Sequence, residues 1–156
     1  MNTITTDNPI SSEQTSILAC LASILIPASD KYDIPGADDE TIMSDIISAA
    51  REHAESFKTG LDAFDAYAQS EFDTDFVSLD HDDRMAIVEH FQDNAPHFIH
   101  ALVSVTVSVY YQDTRVMKSL GLEARPPFPE GYELPQGDWS MLDPVKERGE
   151  IWRKAD

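Results

Sequence analysis

The stretch VSVTVSVYY, Val103–Tyr111, decides the fold class. Taken alone it reads as a strand, because apolar and polar residues alternate with period two and most of them are β-branched. A strand needs a neighbour to pair its N–H and C=O groups, and no other segment of the chain offers a comparable one. The stretch is also the tail of a longer run that begins at Pro96, in which Phe98, Ile99, Leu102, Val103, Thr106, Val109 and Tyr110 follow helical spacing. Proline suits a first helical turn, where its missing N–H has no partner to lose. A helix over about 95–112 is therefore expected, and with it an all-α fold.

The rest of the chain agrees. Ser11 and Gln14 stand in capping-box spacing before Ile17, Leu18, Cys20, Leu21, Ile24 and Leu25, which predicts a helix over about 12–26 that stops at Pro27. That helix is apolar nearly all round, so a central position is expected for it. Asp38 or Asp39 caps a second helix, with Ile42, Met43, Ile46, Ile47 and Ala50 on one face. Ser56–Phe72 keeps helical period, and the join over Arg51–Glu55 reads equally as a bend or a break. Asp80 caps a helix to about Asn94 with Met85, Ile87, Val88 and Phe91 inward. A short helix over Arg115–Leu120 closes at Gly121. Beyond it RPPFPEGYELPQGD, 125–138, holds four prolines and two glycines, and Asp143 and Pro144 look like a cap and first turn of a last short helix. The expectation is a single domain: a polar arm over 1–11, a bundle of about five helices over 12–121, and an extended proline- and aromatic-rich tail over 122–156.

Charge narrows the function. The 156 residues carry a net charge of −18. Residues 1–114 hold 4 Lys/Arg against 21 Asp/Glu, whereas 115–156 hold 7 against 8. A carboxylate-coated surface cannot neutralise phosphates, which argues against nucleic acid and anionic lipid. The single cysteine, Cys20, permits no internal disulfide. No basic leader precedes the first helix, and its apolar run is too short to cross a bilayer, so no direct membrane insertion is expected.

Chemistry has little foothold. His97 and His100 share a helical face, but only Asp93 and Glu89 lie near them in sequence, and neither Glu-x-x-His nor His-x-x-x-His spacing occurs. A stand-alone metal-dependent enzyme would have to be built on that pair. DTDFVSLDHDD and DKYDIPGADDE lack the residue order of a calcium loop. No phosphate loop, nucleophile turn or Cys-x-x-Cys pair is present. We therefore expect no catalytic residue, no cofactor and no metal site in this chain. Phe128, Tyr132, Trp139 and Trp152 stud the tail, which either folds back on its own helices or lies across a partner.

Four blocks carry a resemblance: LIPASDKYDIPGA (Leu25–Ala37), YYQDTRVMKSLG (Tyr110–Gly121), RPPFPEGY (Arg125–Tyr132) and LDPVKERGEIWR (Leu142–Arg153). Together they resemble the gluconate 2-dehydrogenase subunit 3 family. The resemblance implies a non-catalytic helical subunit that binds and stabilises a large FAD-dependent dehydrogenase of the glucose-methanol-choline (GMC) type and assists its folding or assembly. FAD then belongs to the partner, and in many such complexes a haem cytochrome c subunit takes the electrons. A chaperone that binds the flavoprotein only transiently is the alternative within the same resemblance. Partner contacts carried over by the blocks are Pro27, Asp30, Pro35, Gly36 and Ala37; Tyr110, Tyr111, Asp113 and Arg115; and Arg125, Pro126, Pro127, Tyr132 and Trp152. A β-branched residue at Gly36 is expected to loosen the complex more than it unfolds the subunit. Family members often carry a twin-arginine leader. Its absence here leads us to expect a cytoplasmic protein, and a periplasmic one if a leader has been removed.

Overall fold

The computed structural model describes residues 9–126, 128–133 and 136–149. The chain divides into two units, Met1–Ala124 and Arg125–Asp156. The described part of the first holds six α-helices: α1 Ser12–Leu25, α2 Glu40–Ala49, α3 Ala54–Phe72, α4 His81–Asn94, α5 Pro96–Tyr110 and α6 Thr114–Ser119. Short 3₁₀ turns at Ala50–His53 and Phe76–Ser78 join α2 to α3 and α3 to α4. Among the described residues the one β feature is an isolated bridge between Ser29 and Ile34.

Capping chemistry sets the helix starts. Ser11 Oγ accepts from the Gln14 N–H at 3.2 Å while Gln14 Oε1 accepts from the Ser11 N–H at 3.0 Å, which satisfies two donors the helix itself leaves open. Asp39, Asp80 and Asp113 cap α2, α4 and α6. The join over Arg51–Glu55 is the first 3₁₀ turn, Ala50–His53, running directly into α3 at Ala54. Gly121, at φ 74°, ends α6 in a Schellman arrangement: its N–H reaches Lys118 O at 3.0 Å and the Leu122 N–H reaches Met117 O at 2.9 Å.

Val103–Tyr110 is helical, and α5 packs against α2, α3 and α4. The alternation that suggested a strand has a helical explanation. Ser104 and Ser108, one turn apart, face solvent, while Leu102, Thr106 and Tyr110 are buried. The expectation that α1 would be the covered, central helix is corrected. α1 packs chiefly on α3; Ile17, Leu18, Leu21 and Ala22 are buried, but Ile24, Leu25 and Ile26 are only partly so. Helices α3 and α5 share the central place, each meeting three other helices. The core where it crosses α3 is aromatic: Phe64 stacks on Phe91 at 4.1 Å, and Phe57 meets Phe98 edge-on at 5.9 Å. Ile87, Val88 and Phe91 of α4 are buried, with Met85 half-buried.

The second unit is described by itself. It contains a 3₁₀ turn at Trp139–Leu142 and a single helical turn, α7, at Asp143–Glu147 with Pro144 in its first turn. Asp143 is the first helical residue and Leu142 the cap, one place earlier than expected. None of its described residues is buried.

Candidate functional site

The loop between α1 and α2 folds into a fixed shape. Ser29 and Ile34 exchange N–H···O bonds of 3.0 and 3.2 Å, so Asp30–Asp33 reverse the chain, with Asp33 at φ 52° taking the left-handed turn that aspartate tolerates. The Ala37 N–H then reaches back to Ile26 O at 2.9 Å and closes the loop on the end of α1. Gly36 is buried at this closure. A Cβ there would lie 2.9 Å from the Ala28 backbone nitrogen and 2.3 Å from Asp38 Oδ1, so only glycine lets the two backbone segments approach. Replacement is therefore felt inside the subunit first, which revises the expectation that it would be felt mainly at an interface.

Two bonds from far along the chain lock the loop to α5 and α6. The Tyr110 hydroxyl donates to Pro35 O at 2.9 Å. Burial raises the phenol's pKa, with Tyr111 and Asp113 adding to the effect, so the hydroxyl keeps its donor proton. Arg115 binds two carboxylates in forked fashion: its Nη2 and Nη1 reach Asp39 at 2.6 and 3.1 Å, and its Nη2 and Nε reach Asp113 at 3.0 and 3.1 Å. Those aspartates cap α2 and α6, so one guanidinium joins the starts of both helices. Its hydrogen bonds hold both carboxyls below the usual aspartate range, and the two aspartates in turn raise the guanidinium's pKa, Asp39 more than Asp113.

A cleft of about 710 Å³ opens between the locked loop and α6, lined among others by Asp30, Tyr32, Pro35, Arg115 and Lys118. One exposed large apolar side chain of the first unit, Tyr32, is part of that lining. Among the described residues of 9–124, the exposed large apolar side chains are Tyr32, Val107, Tyr111, Leu120 and Leu122. Tyr32 sits on this loop, Val107 and Tyr111 in and just after the second half of α5, and Leu120 and Leu122 just past the end of α6; none lies on α1 to α4. Lys31 rests 4.9 Å from the centre of the Tyr32 ring.

The structure thus brings the first two sequence blocks together. Pro27, Asp30, Tyr111 and Arg115 are exposed, and Pro35 and Asp113 half-buried. Gly36, Ala37 and Tyr110 are buried, so as direct contact residues they are corrected: they shape the surface from beneath. Sequence reasoning missed Tyr32, Val107, Leu120 and Leu122. The signal for Tyr32 was its place at the tip of a proline-bounded loop; the two leucines flank the glycine that ends α6. In the second unit Arg125 is half-buried and Pro126 and Tyr132 exposed, whereas Pro127 and Trp152 lie outside the described residues. His97 and His100 are exposed on α5, and no group of three or more His, Cys, Asp or Glu among the described residues could hold a metal ion. No helix among them is long and apolar enough to cross a membrane.

In the first unit, a small helical bundle, the exposed large apolar side chains lie on the α1–α2 loop and between the second half of α5 and Leu122, as suits a subunit that binds a partner. A family model described as gluconate 2-dehydrogenase subunit 3 matches residues 12–126, and the chain belongs to that family. Membership makes it a non-catalytic accessory subunit of a dehydrogenase complex, with a large dehydrogenase subunit as its partner. Neither the curated proteins nor the solved structures provided a match.

Proposed function

We propose that this chain is the small subunit of a complex whose large subunit is an FAD-dependent, GMC-type dehydrogenase of sugars or other alcohols, and that it stabilises that flavoprotein and assists its folding or assembly. FAD resides in the large subunit, and a cytochrome c subunit accepts its electrons. The small chain itself is not inserted in the membrane and works in the cytoplasm, or in the periplasm if a leader directs it there. The observation that carries the reading is that the first unit's exposed large apolar side chains, Tyr32, Val107, Tyr111, Leu120 and Leu122, all belong to the loop or to the 107–122 segment whose Tyr110 and Arg115 bond to that loop and to the α2 cap. Scattered exposed apolar residues need no explanation, but a gathered set on a pre-shaped surface suits docking, since little freedom is lost on binding. Pro27, Asp30 and Arg115 rim this surface, and the second unit adds contacts through Arg125, Pro126 and Tyr132.

Co-expression with the large subunit tests this. A yellow complex that contains both chains and survives size exclusion supports it; a small chain that elutes alone, with the flavoprotein equally soluble and active without it, sinks it. A flavoprotein that needs the small chain to fold but purifies active without it would point to a transient maturation chaperone.

A further inference from the structure

The segment RPPFPEGY, Arg125–Tyr132, closes on itself. An Arg125 N–H donates to Gly131 O at 2.7 Å, the Tyr132 hydroxyl donates to the Arg125 carbonyl, and the guanidinium carbon lies 5.0 Å from the centre of the Tyr132 ring. Gly131, at φ 72°, makes the return turn that a side chain would strain. Glu130 sits 3.9 Å from the guanidinium and balances its charge. Arg125 thus holds Gly131 and Tyr132 at the far end of the loop.

What this closed loop presents is Phe128, 85% exposed and the most exposed large apolar side chain among the described residues. A phenylalanine ring left in water forgoes the largest gain its burial could give, and a loop that fixes it there has already lost the freedom that binding would otherwise remove. Buried aromatic anchors of this kind dominate the energetics of protein interfaces. A second copy of this chain is a poor seat for it, since two molecules of net charge −18 repel each other. The loop itself, with Arg125 against Glu130, carries no net charge and matches an uncharged pocket.

We propose that Phe128 is an anchor that inserts into an apolar pocket on the large dehydrogenase subunit, an inference that rests on the functional reading above. The test is the affinity of the small chain for that subunit. F128A weakens binding by roughly tenfold or more, F128L by less, and neither moves the thermal midpoint of the free small chain. Y132F, which keeps the ring but loses the hydroxyl bond to the Arg125 carbonyl, weakens binding a few-fold, about what one lost hydrogen bond in the loop allows. Two results overturn the proposal: F128A binding within about twofold of the unmodified chain, or F128A lowering the free chain's midpoint, which would mean that the ring packs on its own molecule. Either leaves the functional reading standing. Failure of the unmodified chain to bind the large subunit removes the reading and this inference together.

Discussion

Arg115 shows how much one side chain can join in a fold this small. It links the caps of α2 and α6, which lie far apart in sequence, and it remains 46% exposed, so water screens part of the attraction. We expect R115A to lower stability by about 1 kcal/mol and R115K to fall between, because lysine keeps the charge but not the fork. The effect has a pH signature. Asp39 and Asp113 titrate lower in the folded chain than unfolded, so their contribution is fully present above about pH 4 and is lost as pH falls through their folded values. Denaturation curves of R115A and the unmodified chain should therefore differ at neutral pH and converge in acid. Thr106 makes the opposite case. Its hydroxyl is fully buried on α5 with no hydrogen-bond partner among the described residues, so T106V, of the same shape, should raise stability by about 1 kcal/mol in thermal unfolding. From sequence, Arg115 read as a partner contact; its bond to Asp39 depends on how the loop folds, which no local pattern encodes.

Helices α3 and α5 meet at a contact that spacing alone does not disclose. Gly60 lies within α3, where glycine costs helix stability relative to alanine. The structure supplies the reason for keeping it: a Cβ at Gly60 would stand 2.3 Å from ring carbons of Phe98. That ring packs against Phe57 and Phe64, so it can give way only toward the cleft of about 590 Å³ that Gly60 and Phe98 both line. G60A should thus destabilise by about 1–3 kcal/mol despite its better helix propensity, and a denaturant midpoint at or above that of the unmodified chain would refute the close crossing. Element boundaries were more legible than this crossing because they are local. The Ser11–Gln14 box, the Asp39 and Asp80 caps, Pro96 in a first turn and Gly121 beyond a last one each act within a few residues, and each appears where spacing placed it. The covering of α1 was misjudged for the complementary reason: an all-round apolar sequence says that a helix can be buried, but only packing decides which neighbours reach it.

Helices α3 and α4 and the stretch 104–124 divide charge from apolar exposure. Helices α3 and α4 carry Glu55, Glu71, Asp82 and Glu89 in the open, and they hold no exposed large apolar side chain. Residues 104–124 balance Arg115 and Lys118 against Asp113 and Glu123, and in that stretch lie four of the five exposed large apolar side chains of the first unit, with Tyr32 on the adjoining loop. Net acidity was plain in the composition, but its separation from the exposed apolar side chains was not, because that separation exists only once α5 and the loop are locked together. Salt should therefore act differently on folding and on docking. Raising ionic strength from about 10 mM to about 300 mM screens self-repulsion and should raise the thermal midpoint of the free chain. Docking carried mainly by residues 104–124, whose charges balance, should leave affinity for the large subunit within about threefold over the same range. A tenfold or greater loss of affinity in salt would mean that the partner reads the carboxylates of α3 and α4 instead, and would move the interface to the opposite kind of surface.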